Sequence, residues 1–138
     1  MGIYRTLNCH SYDIEAKPER PMIHVSITGP ATGREMKFTA AADTGFSGYL
    51  LVPMETYLEY SELELPVRDF LTYRTIVGPI VLRRARVTAA ILGDRFETFI
   101  ETPLIGMGRF LLGRRILNAL RLALLGPEKR SCLLEEQG

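Results

Sequence analysis

The chain has 138 residues, 46% of them hydrophobic, and a formal net charge of +1. That is enough apolar sequence to bury the core of one compact domain, and nothing in it marks a second. The near-neutral balance argues against a dedicated nucleic-acid binder, which needs a basic excess to displace condensed counterions.

Residues 1–14 read as an arm with strand character at Ile3-Tyr4, and the polar, proline-bearing connector Glu15 to Pro21 follows. We therefore divide the chain into an arm and connector, 1–21, and a folded domain, 22–138. Met22 to Thr28 alternates, with Ile23, Val25 and Ile27 on one face. Gly29 to Gly33 makes a loop, and Met36, Phe38, Ala40 and Ala42 share a face that leads into Asp43. This is the pattern of a hairpin that delivers Asp43 to a strand end. Pro53 to Glu62 predicts a short helix, with Tyr57, Tyr60 and Leu63 suited to packing or to substrate contact.

Phe70 to Val77 and Ile80 to Leu92 are β-prone runs rich in branched and aromatic residues, joined at Gly78-Pro79. Within the second run, Arg83-Arg84-Ala85-Arg86 is the densest basic cluster, which we read as a solvated face or a guard on an edge strand. Gly93-Asp94 is the next turn signal, with Asp94 as a turn residue. A helix is expected from Arg114 to Leu120. Beyond it, Arg121 to Leu125 and Ser131 to Leu134 flank Gly126-Pro127-Glu128-Lys129, where proline pre-organises a tight turn and so predicts a C-terminal hairpin. Ile116 to Leu125 is the most apolar stretch, but Arg121 interrupts it and it is too short to span a bilayer. With no charged-then-apolar leader, a soluble cytoplasmic protein without membrane contact is the expectation.

Cys9 and Cys132 are the only cysteines, far apart and without metal-ligand spacing, so reduced thiols are expected. His10 adjoins Cys9 and His24 lies in a strand, but two such residues without further ligands do not make a zinc site. No metal is implied.

The strongest chemical signal is Asp43-Thr44-Gly45, a carboxylate in a glycine-bounded turn after Ala40-Ala41-Ala42 and before the apolar run Tyr49 to Val52. A carboxylate set among apolar strands is costly unless paired or hydrogen-bonded, which makes it a candidate for chemistry. Ala40 to Gly48, followed by Leu50-Leu51-Val52-Pro53, resembles the active-site loop of the retropepsin-like aspartic proteases. Downstream, Phe110-Leu111-Leu112-Gly113-Arg114-Arg115-Ile116-Leu117 resembles that family's apolar-apolar-Gly-Arg segment, although the family often has Asp or Asn where this chain has Arg115. Leu104-Ile105-Gly106 is a rival match, less apt because no helix and hairpin follow it directly. Two motifs in the right order are more specific than either alone.

The resemblance covers roughly residues 22–134 and implies a mainly β fold, a closed barrel of the acid-protease type with one short C-terminal helix. It implies that Asp43 is the catalytic group, that Thr44 braces two loops through its hydroxyl, and that Gly45 permits the tight turn and close backbone approach. Ile76, Val77 and Gly78 would form the tip of a substrate-covering flap, and Gly113 and Arg114 would support the loop. Aspartic-protease chemistry needs two carboxylates that share a proton. Asp13, Asp69 and Asp94 lack a comparable setting, so the second Asp43 is expected from a twofold partner, with Cys132-Leu133-Leu134 at the dimer contact. The implied activity is cofactor-free hydrolysis of extended, apolar-rich polypeptide by water attack. The alternative is a non-catalytic module of the same fold that binds peptide or dimerises.

Overall fold

Ten strands dominate the chain in a computed structural model that describes residues 2–137. They are β1 (Ile3–Ser11), β2 (Met22–Thr28), β3 (Glu35–Ala42), β4 (Leu50–Leu51), β5 (Leu71–Thr75), β6 (Gly78–Ile91), β7 (Asp94–Pro103), β8 (Leu111–Leu112), β9 (Leu122–Leu125) and β10 (Arg130–Gln137). Two short helices interrupt them, α1 (Met54–Glu59) and α2 (Arg114–Leu117), with a 3₁₀ turn at Val67–Asp69. The fold is mainly β, as the alternating sequence requires. No helix among the described residues is long and apolar enough to cross a membrane.

The larger sheet runs β2-β3-β8-β4-β7-β6-β5, and β2 also pairs with β6. That last pairing closes a ring of six strands and leaves β5 outside it. Strand β6 can do this because it is 14 residues long: its first part, Gly78 to Leu82, pairs with β5, and its last part, Thr88 to Ile91, with β2. The alternation read from the sequence supplies the interior. Ile23, Val25 and Ile27 from β2 and Val87, Ala89 and Ile91 from β6 are fully buried, with Leu50, Ile100, Leu112 and Ile116 completing the core. Each such large side chain contributes about 1.5–3 kcal/mol of burial free energy.

A second sheet has the order β1-β10-β9. The arm is thus a nine-residue strand, longer than Ile3-Tyr4 alone, and it lies along the C-terminal strand from Ile3–Gln137 to Ser11–Arg130. Several expectations change here. Cys9 stands directly opposite Cys132 and the two form a disulfide, which the sequence did not suggest because their pairing depends on where the arm lies. The C-terminal hairpin forms as read, but β10 has a neighbour on both edges. Cys132 and Leu133 are already buried within the single chain, so the dimer contact placed at Cys132-Leu133-Leu134 is filled by the chain's own β1 and β9.

Four local corrections follow. The β5–β6 hairpin turns at Ile76-Val77, one step before Gly78-Pro79, and Pro79 sits inside the ladder opposite Arg74. The next turn is likewise at Leu92-Gly93, because Asp94 already pairs with Ile91. The second helix stops at Leu117 with Asn118 as its cap, three residues short of Leu120, because the chain must turn into β9. The basic cluster is no guard on an open edge either, since between the β5 and β2 pairings that edge of β6 is covered by the segment Leu63 to Leu65, whose Leu65 N–H donates to the Arg84 carbonyl and whose Leu63 carbonyl accepts from the Arg86 N–H. Arg83 instead pairs with Glu64 at 2.9 Å, and Arg84 lies over the ring of Phe99 at 4.1 Å. Tyr57 and Tyr60 are buried, which settles their role as packing residues.

Candidate active site

Strand β8 lies between β3 and β4, the two strands that the Asp43 loop joins. It runs parallel to β3, with Ala41 opposite Leu111 and Ala42 opposite Leu112, and antiparallel to β4, with Leu50 opposite Leu112. Both ends of the loop are therefore fixed by one short downstream segment. The Asp43 N–H donates to the Leu112 carbonyl at 2.9 Å, the Gly113 N–H to Tyr49 at 2.7 Å, the Arg114 N–H to Phe46 at 2.8 Å, and the Arg115 N–H to Gly48 at 3.1 Å. These contacts bring Asp43, Gly113 and Arg114 together through backbone.

Gly113 is required at its position by space. A Cβ there would overlap the carbonyl oxygen of Gly48 and crowd the ring of Phe46. Gly45 lies in the turn, as expected, and its use there is close approach rather than a left-handed backbone conformation. Its N–H donates to Asp43 Oδ1 at 2.9 Å, and a Cβ would stand only 3.1 Å from that oxygen. The other carboxylate oxygen of Asp43 has no hydrogen-bond donor among the described residues. Asp43 is half-buried, while Thr44 and Gly45 are exposed. Among the described residues the Thr44 hydroxyl has no hydrogen-bond partner.

The hairpin tip is not brought to Asp43. Ile76 and Val77 are fully exposed, and Gly78 is tied locally, its carbonyl accepting from the Thr75 hydroxyl at 2.6 Å. The hairpin meets the loop lower down. The ring of Tyr73 on β5 packs against Phe46 with centroids 5.6 Å apart. A cavity of about 270 Å³ lies beside this contact, lined by Phe46, Leu51, Tyr73, Ile80, Leu82 and Met107. Its walls are mainly apolar, with Thr75 and Arg109 also on them, and it flanks the loop that carries the carboxylate.

Sequence reasoning missed Glu101. It lies on β7, opposite Leu51 of β4, and is fully buried. Its Oε1 accepts the Tyr49 N–H at 2.6 Å and its Oε2 accepts the Tyr73 hydroxyl at 2.9 Å. Burial pushes its carboxyl above the usual range, opposed by those two hydrogen bonds and by the charges of Arg84 and Arg115. Tyr73 is pushed up in turn, by burial first and by the Glu101 carboxylate second. The only available signal was a charged residue inside the run Phe99-Ile100-Glu101-Thr102.

His10 and His24 meet as a stacked ring pair 5.9 Å apart, away from the Asp43 loop. No protein-family model matches this chain, and no curated protein matches it either.

Proposed function

We propose that this chain is one half of an aspartic endopeptidase, with Asp43 as the carboxylate that each of two copies contributes. One observation carries the reading: a strand is inserted between the two strands that the Asp-Thr-Gly loop connects, and it fixes that loop from both ends. The arrangement leaves an aspartate held by its backbone, with one carboxylate oxygen engaged by Gly45 and the other open. A single such group cannot both take a proton from water and give one to a peptide carbonyl. Two copies sharing a proton can. The retropepsin-like resemblance stated from sequence agrees with this arrangement, with the closed ring of strands and with α2 directly after Gly113.

The partner copy would complete the site across the exposed face that carries Thr44 and Gly45. Apolar side chains are available there and near it: Ile105 and Met107, in the segment between β7 and β8, are 89% and 96% exposed, and Met107 shares the cavity with Tyr73. Apolar side chains exposed there are free to pack against a partner copy. The substrate is an extended, apolar-rich polypeptide, with the cavity beside Phe46 taking a side chain and the Ile76-Val77 tip closing over the chain to exclude water. No metal or cofactor has a part in the reaction. A cytoplasmic location belongs to this proposal only with the Cys9–Cys132 bond opened, because such bonds persist in oxidising compartments.

A second reading has its own support. Strand β10 is occupied on both edges, so the chain is closed where the dimer contact was expected, which favours a monomeric peptide-binding module. Asp43→Asn separates the two. The protease reading predicts that the variant folds like the parent and loses peptide hydrolysis. Equal turnover by both would remove Asp43 from the chemistry.

A further inference from the structure

The interior of this barrel holds one carboxylate with no place in the reaction just proposed. Glu101 is fully buried, and a buried carboxylate without partners is costly. Its partners come from two different elements. Oε1 takes the backbone N–H of Tyr49, at the end of the loop that begins with Asp43. Oε2 takes the hydroxyl of Tyr73, on the outer strand of the β5–β6 hairpin. The backbone of Glu101 is itself anchored, its carbonyl accepting the Val52 N–H at 2.9 Å and its position opposite Leu51 set by strand pairing. Only the carboxylate is left to respond to both neighbours.

The surroundings are shaped for it. Gly48 stands so close that a Cβ there would lie 2.6 Å from Oε1. Arg84, directly across the sheet from Glu101, lays its guanidinium over Phe99 and over Tyr49, the latter at 5.3 Å, and Arg115 lies over the same Tyr49 ring at 5.5 Å. The residue whose amide meets Glu101 is thus held from its ring side as well. Phe46 against Tyr73 makes a second, apolar contact between the same two elements.

We infer that Glu101 is a positioning residue that couples the β5–β6 hairpin to the Asp43 loop, so that a peptide settling under the hairpin also sets the loop. The link is a chain of two hydrogen bonds through one carboxylate, from Tyr73 hydroxyl to Oε2 and from Oε1 to the Tyr49 N–H. Glu101 touches no substrate and acts through its neighbours. The catalytic meaning of the coupling rests on the protease reading above, but the coupling itself is a property of the folded chain.

The test compares parent, Tyr73→Phe and Glu101→Gln by amide hydrogen exchange across the whole chain and by peptidase kinetics. Tyr73→Phe removes one hydroxyl and little volume, and Gln keeps an acceptor for the Tyr49 amide and a polar group toward Tyr73. The expected result is that Tyr73→Phe speeds exchange at the Tyr49 amide about tenfold more than at Val25 and Ile27, the factor that corresponds to one lost hydrogen bond. Its kcat falls with KM changed less than about twofold, and Glu101→Gln stays near the parent in both measurements. Exchange at Tyr49 that is unchanged in Tyr73→Phe, or raised only as much as at Val25 and Ile27, overturns the coupling. The expected exchange pattern in a chain that hydrolyses no peptide upholds the coupling and defeats the protease reading.

Discussion

The amide of Asp43 donates to the carbonyl of Leu112 at 2.9 Å, so the residue proposed to carry the chemistry is held by a strand far downstream in sequence. A turn carboxylate on an ordinary hairpin would depend only on its own two strands. Here the Leu111-Leu112 segment lies between those strands, and the glycine and arginine that follow it bind the rest of the loop. The same short segment therefore sets both the barrel wall and the position of Asp43.

Gly113→Ala tests that dependence. The added methyl has no room beside the Gly48 carbonyl, so we predict a loss of about 1–3 kcal/mol of stability, the usual cost of overpacking. Peptide hydrolysis should fall by more than stability explains, because the displaced atoms belong to the loop. Denaturant melts and turnover of one preparation measure both, and a variant equal to the parent in each would show that the close approach is unimportant.

Glu101 gives the chain a predictable pH dependence. Burial raises its carboxyl above the ordinary range, so the folded state holds the proton more firmly than the unfolded one. Its contribution to stability is then full below the unfolded-state value and is lost as pH rises through the raised folded value. Relative to Glu101→Gln, the parent should lose stability as pH rises above the ordinary glutamate value, until the raised folded value is passed, by at most about 1.4 kcal/mol per pH unit for one proton. Unfolding free energies across that window check it. A difference that stays flat, or grows in the parent's favour, would contradict the burial argument.

Leu133 distinguishes core from interface. It is buried beneath the chain's own strands, so Leu133→Asp should unfold the monomer, at a cost of roughly 3–5 kcal/mol for an uncompensated buried charge. Circular dichroism and sedimentation of the variant decide the matter. A folded monomer would return the dimer contact to β10.

The disulfide makes a further prediction. It closes the chain across a separation of 123 residues, joining the first strand to the last. Cys9→Ser should lower stability by about 2–5 kcal/mol under oxidising conditions and have little effect once the parent is reduced. Thermal melts with and without reductant measure this, and an effect of equal size in both conditions would mean that the thiols are not joined.

Much of this molecule was legible in the sequence because its information is local. The alternation of Ile23, Val25 and Ile27 marked a half-buried strand, and the Asp43 and Gly113 motifs fell where β8 brings them together. What escaped depended on contacts between distant segments. Glu101 looked like an ordinary charge until the Asp43 loop and β5 placed Tyr49 and Tyr73 on its two oxygens. Cys9 and Cys132 looked independent because nothing local says that the arm lies against β10. The arginines of β6 suggested an edge strand, yet the distant segment Leu63 to Leu65 covers that edge, and two of the side chains lie over aromatic rings.

The central claim is that two copies of Asp43 make one site. Parent and Asp43→Asn chains, unfolded and refolded together in varied ratios, provide the most direct measurement, with peptide hydrolysis followed against mutant fraction. Because any mixed pair has an incomplete dyad, the rate should fall as the square of the parent fraction. A linear fall would show that one chain suffices, and the shared-site account would be wrong.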